Sequence, residues 1–510
     1  MHTKRSIDYK LFAIMIIAIL SRIVLLGEYP GGIHADEAFA GYEAYSMANY
    51  GTDSWGYVHP VYLTAWGSGM SVLESYFMLP FIKCFGLNSV TVKIPQALLG
   101  ILTIYIFFLM GKKISNKNIA YWGCFLLAIS PWHIMISRYG MDCNIAPAFI
   151  LIGIYFAICG IDKNNYLLIS AVFWGLSLYA YAVNWLFVPA FLIGCLIYCM
   201  KYKKITWSWQ LVCAGVIVFL FAVPLLLFVA VNNGLIPEIK SAIISIPRLV
   251  VYRGSEISIK NIPDNIIKLL NLFLKQNDHL LWNCIREYGV YYLYSTPFVL
   301  YGGFLIIKTC INNAKQKKFG YEFIIIWWTI VGVIVGLIQG IGLNRINCVI
   351  LAMFVFLAKG ISDFYQKCEK YGRRAIISVY LISFALFEIC YFTRYQVEIS
   401  NRQNDGAKEA IEYAMDISGE KDIFVESAIR HSQVLFYTGY PTPDYIASVE
   451  WNLDSEKKRV FVKRFGQFCW DWDVNYPMEG VYIISADEIE RFEKSGYDVI
   501  RFDSCAVAKK

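Results

Sequence analysis

Apolar runs recur along this chain from about residue 11 to about residue 393. Most are long enough to cover the hydrocarbon core of a bilayer, which takes about 20 helical residues. Backbone inside hydrocarbon must satisfy its own hydrogen bonds, so runs of this kind fold as a bundle of spanning helices. Apolar stretches between polar breaks give about eleven spans, at roughly 11–27, 91–110, 119–136, 145–160, 167–182, 185–200, 209–231, 290–307, 323–341, 346–364 and 375–393. With 57% hydrophobic and 17% charged residues over 510, the chain is no soluble protein with one greasy segment. Trp66, Trp122, Trp132, Trp185, Trp207 and Trp209 sit near the ends of runs, as interfacial belts do. The first run follows Lys4, Arg5 and Lys10 but ends in Leu25-Leu26-Gly27-Glu28, a poor cleavage site, and is read as a retained span rather than a signal peptide.

Charge placement orients the bundle. If alternate connections face the cytoplasm, that side collects Lys4, Arg5 and Lys10, then Lys112, Lys113 and Lys117, Lys163, Lys201 to Lys204, Lys308 to Lys318, and Lys367 to Arg374. The short connections on the other side hold little beyond Arg138 and Arg345, so the N-terminus is expected in the cytoplasm. The fold class expected is an all-α polytopic membrane protein, residues 1–393, with a small extracytoplasmic α/β domain over 394–510. In the latter, helices are expected near 406–415 and 486–494 and strands near 422–425, 460–462, 481–484 and 498–500. Two outer loops are long, 28–90 and 232–289. The first carries an amphipathic stretch over Asp36–Asn49, read as a helix lying in the interface, and a more apolar one over Gly69–Phe85. The second has amphipathic stretches over Glu238–Ile246 and Asp264–Leu274. Most of the 14 cysteines lie within apolar runs and read as small buried hydrophobes, with a Cys469–Cys505 disulfide left open.

The inner connections are lysine-rich and carry little information, so any chemistry belongs on the outer face. There the first loop supplies His34, Asp36, Glu37, Asp53, His59 and Glu74. The connection after the third run supplies His133, Arg138, Asp142 and Asn144; the second long loop, Asp278 and His279; and the last outer connection, Asn344, Arg345 and Asn347. A carboxylate at a membrane exit can serve as a base towards an incoming hydroxyl. A guanidinium can hold a departing phosphate through two parallel hydrogen bonds, which suits Arg138 and Arg345. The chain has no glycine-rich phosphate loop and no Asp-x-Asp metal motif, and an outward-facing site has no nucleotide sugar at hand. A sugar donor carried on a lipid phosphate answers both points.

The sequence resembles the polytopic GT-C glycosyltransferases, in particular the protein O-mannosyltransferase and aminoarabinose transferase group. The likeness rests on His34-Ala35-Asp36-Glu37-Ala38; on Gly51-Thr52-Asp53, His59-Pro60 and Trp66-Gly67; on Ser130-Pro131-Trp132-His133 with Ser137-Arg138 and Asp142; and on Asn344-Arg345-Ile346-Asn347. It spans about residues 1–393. The resemblance implies that Asp36 is the catalytic base, with Glu37 beside it, and that Arg138 and, less directly, Arg345 contact the donor phosphate. It also implies a substrate-binding role for Asp142. His59, Asn344 and Asp278 complete the substrate-binding candidates. No cofactor is certain; a divalent metal held by His34 and Glu74 is kept open.

Plainer readings stand beside these. Asp36 and Glu37 could serve the N-terminus of the helix that follows, Asp142 could cap the next span, and Arg345 could pair with a carboxylate. The expected function is transfer of a hexose or related sugar from a polyprenyl phosphate to a hydroxyl on a protein, glycolipid or cell-envelope polymer, with inversion, at a bacterial membrane. The partners expected are the lipid-linked sugar, the acceptor and the bilayer, and no nucleic acid. The competing readings are a transporter or flippase, which would want ionisable residues in the middle of the spans, and a polysaccharide polymerase or ligase, which would lean on Arg248 and Arg253.

Overall fold

The computed structural model describes residues 8–252, 259–454, 459–472 and 479–510. Lys4, Arg5 and Arg253 lie outside them. Each expected apolar run is occupied by helix. Eight helices are long and apolar enough to cross a membrane. They are α4 (Ser89–Ile114), α7 (Asp142–Gly160), α9 (Asn184–Lys201), α10 (Trp209–Asn232), α12 (Thr296–Lys315), α13 (Glu322–Gln339), α14 (Asn347–Lys367) and α15 (Lys370–Phe392). Three of the eleven expected spans are shorter: α1 (Tyr9–Ile23), α5 (Lys117–Ala128) and α8 (Asn165–Ala180). The chain is thus a multi-pass membrane protein, while a count of eleven crossings exceeds what length and composition alone support.

Local chemistry explains the breaks. The expected run 119–136 is not one helix. Ser130 caps the short helix α6 (Pro131–Ile136), its hydroxyl accepting from the His133 N–H at 3.1 Å, and Pro131 occupies the first turn, where its missing N–H costs nothing. At the start of α4, the Asn88 side chain accepts from the Val90 and Thr91 N–H groups while Thr91 Oγ1 accepts from the Asn88 N–H, a reciprocal cap. Helices α12 and α14 cross backbone to backbone: a Cβ on Gly302 would collide with the Phe356 carbonyl, and one on Gly360 with that of Phe298.

The first long loop folds as α2 (Ala35–Tyr50) and α3 (Leu73–Phe85). Helix α2 is not laid along a lipid interface as expected. Ten of its residues are buried, on all sides, because α3 covers one face and the C-terminal segment another. In the second long loop α11 (Ile262–Lys275) matches the expected helix, but 238–246 is not helical; Ile239 and Ile246 form an antiparallel bridge, and Ser245 bridges to Pro60 of the first loop.

Beyond α15 the chain passes through α16 (Arg394–Gln403) and α17 (Ala407–Ser418) into a small seven-stranded sheet. Its strands are β1 (Ile423–Val425), β2 (Glu450–Asp454), β3 (Arg459–Phe465), β4 (Phe468–Cys469), β5 (Val481–Ser485), β6 (Asp498–Phe502) and β7 (Cys505–Lys509), in the order β2-β3-β4-β1-β5-β7-β6. The short central β1 runs parallel to β4 and β5, and the other pairings are antiparallel. Three helices follow β1 and lie outside the expected pattern or match it only in part: α18 (His431–Thr438), α19 (Thr442–Ser448) and α20 (Ile489–Lys494). Cys469 and Cys505 are free thiols on β4 and β7, with β1 and β5 between, so the disulfide left open by the sequence does not form.

This sheet domain sits directly on α2. The Tyr42 and Tyr45 hydroxyls donate to the carbonyls of Tyr440 (2.7 Å) and Gly439 (3.0 Å). Ser432 Oγ donates to the Ala35 carbonyl at 2.9 Å, and Gln433 Nε2 to that of Ile33 at 2.9 Å. Tyr42 belongs to the sheet domain's core and Phe436 of α18 to the core of the first loop, so the two hydrophobic cores interlock.

Candidate active site

Helix α2 begins at the point where the first loop, the second loop and the sheet domain meet. His34 is its N-cap: Nδ1 accepts from the Asp36 N–H at 3.1 Å, and the ring packs edge-on against Trp282 of the second loop at 4.5 Å. Asp36 and Glu37 occupy the first turn, where the helix's unpaired N–H groups favour negative charge. The two then diverge. Asp36 keeps 43% of its side-chain exposure, and its Oδ1 accepts from the Trp66 indole N–H at 3.3 Å. Trp66 is held in the left-handed backbone region, φ +52°, an arrangement costly for a bulky residue and tolerated where the surroundings demand it.

Glu37 is fully buried. Its Oε1 accepts from the Gly140 N–H at 2.7 Å and its Oε2 has no partner. Burial raises its pKa; the charge of Lys93, itself fully buried in the first turns of α4, acts the other way. Glu74 of α3 is also wholly buried, and neither carboxyl oxygen has a partner. Burial, and next the charges of Asp142 and Glu37, hold its pKa well above the usual 4.5. Half-buried Asp142, the first residue of α7, accepts from the Ser71 N–H at 3.1 Å and the Cys143 N–H at 2.7 Å. Four carboxyl groups from three helices therefore share one region, with Asp36 the accessible one.

Raised pKa values fix a sign for stability. Glu74 holds its proton in the folded protein at pH values where the unfolded chain has lost it. Its contribution is complete below about pH 4.5 and is lost as pH rises towards the folded value. Glu74→Gln removes that dependence. The variant is expected to gain on wild type steadily in a thermal unfolding series from pH 5 to pH 8; parallel curves would show that Glu74 is not a buried neutral acid.

The two arginines take different places. Arg138 is completely buried: Nη1 donates to the Ser21 carbonyl at 3.2 Å, and Nη2 to those of Leu25 (3.1 Å) and Tyr29 (2.8 Å). Tyr391 and Phe392 of α15 flank its guanidinium. Arg345 is exposed, on the connection leading into α14, and donates to the Gln339 carbonyl. Asn347, two residues on, donates to the Cys143 carbonyl and so ties this connection to the first turn of α7, the helix that begins with Asp142.

Asp278 is a buttress: Oδ2 accepts from the Leu343 N–H at 2.9 Å and from Asn283 at 2.8 Å, tying the second loop to the connection that carries Asn344 and Arg345. Asn344 is half-buried on that connection. His59 is exposed in a left-handed turn, its carbonyl accepting from the Ser245 N–H, and no contact joins it to Asp36. The metal reading of His34 and Glu74 finds no support: among the described residues no three His, Cys, Asp or Glu side chains could share an ion, and His34 Nδ1 is occupied as a cap.

Sequence reasoning missed Lys93, the Trp66–Asp36 bond and everything the sheet domain brings. Lys93, a lysine in the opening turns of an apolar span, was a signal in plain view, since such residues rarely lack a task. From the sheet domain, His431 packs edge-on against Trp66 at 4.9 Å; burial and the neighbouring Arg430 push its pKa down to about 3, so it is a neutral ring over the site.

Residues 71–228 match the family model described as dolichyl-phosphate-mannose-protein mannosyltransferase. The whole chain superposes on crystal structures of ArnT from Cupriavidus metallidurans. The apo state gives a TM-score of 0.56 at 12% identity, covering 98% of this chain and 97% of that one. The state bound to undecaprenyl phosphate gives 0.57 at 12% identity, covering 99% and 98%. No curated protein matches the sequence. At this identity the likeness is one of fold.

Proposed function

We propose that this chain, whose residues 71–228 match the mannosyltransferase family model and whose fold is that of ArnT, is an integral membrane glycosyltransferase of the GT-C kind that moves a sugar from a polyprenyl phosphate to a hydroxyl acceptor on the extracytoplasmic side. The observation that carries this reading is Asp36, an accessible carboxylate oriented by Trp66 in a first turn capped by His34, beside buried Glu37 and Glu74 and half-buried Asp142. A base must reach the proton it removes, and Asp36 alone of the four keeps substantial exposure while held in place. The ArnT structure with undecaprenyl phosphate supports a lipid-phosphate donor for this fold.

In this reading the acceptor hydroxyl gives its proton to Asp36 as its oxygen bonds to the anomeric carbon of the donor. The bond from that carbon to the phosphate oxygen breaks, and the lipid phosphate leaves with the electron pair. A single displacement inverts the anomeric centre. Arg345 meets the charge gathering on the phosphate, where a fixed guanidinium at the membrane boundary acts mainly on the transition state. Glu37, bonded to Gly140, keeps the start of α7 and of α2 in register.

The test is transfer itself. Purified protein in lipid, given polyprenyl-phosphate sugar labelled in the sugar and envelope extracts as acceptors, is expected to move label from the lipid phase to acceptor with release of polyprenyl phosphate. Label that crosses a sealed vesicle still attached to its lipid would instead establish a flippase.

A further inference from the structure

Helix α7 begins at Asp142, beside the candidate site, and its other end borders a groove. Helix α10 packs on α8, and α9 on α13 and α8; between α9 and α10 they leave a cavity of about 510 Å³. Cavities of roughly 300–1,000 Å³ are large enough to bury a small molecule or part of a chain. On α7, α10 and α13 every lining residue lies in the half of the helix nearest the lysine-rich connections, from Ile154 onwards on α7, up to Val218 on α10 and at Ile324 on α13. The groove therefore belongs to one leaflet. Ile193, Trp207 and Val212 line it yet stay exposed, so it opens sideways towards lipid.

Almost all of its lining is hydrocarbon, and the Ser170 hydroxyl is already engaged, donating to the Gly153 carbonyl at 2.8 Å. Gly215 of α10 faces the groove with room to spare: a Cβ there would meet nothing within 4 Å, whereas one on Gly153 or Gly175 would press into Trp174 or Phe221. A hollow of this kind does not order water, and a hydrocarbon chain laid in it supplies the dispersion contacts its walls lack. One end is polar. The connection 202–208 contributes Ile205 and Trp207 to the lining and carries Lys203 and Lys204. The Lys204 N–H donates to the carbonyl of Cys199, also a lining residue, at 2.9 Å. Its ammonium lies 5.5 Å from the Phe319 ring, which shares a cluster with Leu167, Cys199 and Ile205. Among the described residues no carboxylate pairs with Lys203 or Lys204, and Asp162, on the neighbouring connection, is held by Lys113.

We propose that this groove between α9 and α10 binds an acyl chain of an anionic phospholipid, whose headgroup meets Lys203 and Lys204. Basic residues at the end of an apolar cleft between spans suit a lipid with a negative headgroup. The charge pattern separates this occupant from a polyprenyl phosphate docked at Asp36. The groove begins at Ile154, about 18 Å along α7 from Asp142 at 1.5 Å per residue. A polyprenyl chain reaching it from there would bring only its uncharged tail to the lysines. The site stands whether or not the transferase reading does.

The test titrates the full chain in detergent with phosphatidylglycerol, phosphatidylcholine and polyprenyl phosphate, counting bound lipid by native mass spectrometry. A phosphatidylglycerol with a diazirine on its acyl chain then maps the site by photocrosslinking. Wild type is expected to prefer phosphatidylglycerol to phosphatidylcholine by about tenfold or more, with crosslinks on the facing stretches of α9 and α10. Gly215→Leu, which fills the groove, should weaken phosphatidylglycerol by about tenfold or more while the unfolding temperature of the lipid-free protein stays at or above that of wild type. Lys203→Gln with Lys204→Gln should erase the preference between the two lipids. Crosslinks elsewhere in the wild type, or equal phosphatidylglycerol binding by wild type and Gly215→Leu, would overturn the groove as the site. Equal binding of the two phospholipids by wild type would overturn the anionic headgroup. Displacement of phosphatidylglycerol by polyprenyl phosphate in wild type, with loss of both in Gly215→Leu, would give the groove to the polyprenyl chain instead.

Discussion

Asp36→Asn is expected to lower turnover by about 10²- to 10⁴-fold, the span that a positioned general base contributes, with polyprenyl-phosphate binding unchanged. The substitution is informative because it is nearly isosteric. The Trp66 indole can still donate to the retained oxygen, and His34 still caps the backbone N–H of residue 36. What disappears is the capacity to accept a proton. Glu37→Gln supplies the contrast. Its buried side chain bonds Gly140 and reaches no solvent, so it should cost activity through positioning, with a fall in thermal stability alongside. Full-rate transfer by Asp36→Asn would remove Asp36 from the chemistry and pass the role to Asp142, the half-buried carboxylate.

The spans and the Asp36 motif were legible because each is a local signal. A hydrophobic run states its own length, and a His-Ala-Asp-Glu sequence at a membrane exit states its own oddity. Even the break in the third run was written in Ser130-Pro131, a cap followed by a first-turn proline, but apolar content on both sides hid it. What could not be read are contacts across hundreds of residues. Helix α2 looked interfacial because its tyrosines had no visible partners; those partners are Tyr440 and Gly439, almost 400 positions away. Ionisable residues do occur in the spans, as Arg22, Lys93 and Glu388, but each lies within about two turns of a helix end. Lys359, near the middle of α14, departs from the expectation that the span middles lack them, which weighed against a transport path.

Arg138 shows the same limit, because an arginine's type says nothing of whether its partners will be a ligand or a backbone. Its guanidinium reaches three carbonyls between Ser21 and Tyr29, the stretch that leaves α1 and leads to the Asp36 motif. Hydrogen bonds from a charged group contribute about 1.5–3 kcal/mol each, and they do not simply add. Arg138→Ala is thus expected to cost about 3 kcal/mol or more, seen as a marked drop in unfolding temperature and in yield, with donor affinity of the folded fraction near that of wild type. Arg345→Ala is expected to behave in the opposite way. The residue is exposed, so the unfolding temperature should hardly move while kcat/KM for the lipid donor falls by at least tenfold. Arg345→Lys should recover only part of that loss, since a point charge cannot reproduce the two-pronged contact. If Arg138→Ala kept its unfolding temperature and lost donor binding, the phosphate contact would belong to Arg138 after all, and the carbonyl clamp would be the resting arrangement of a ligand-binding side chain.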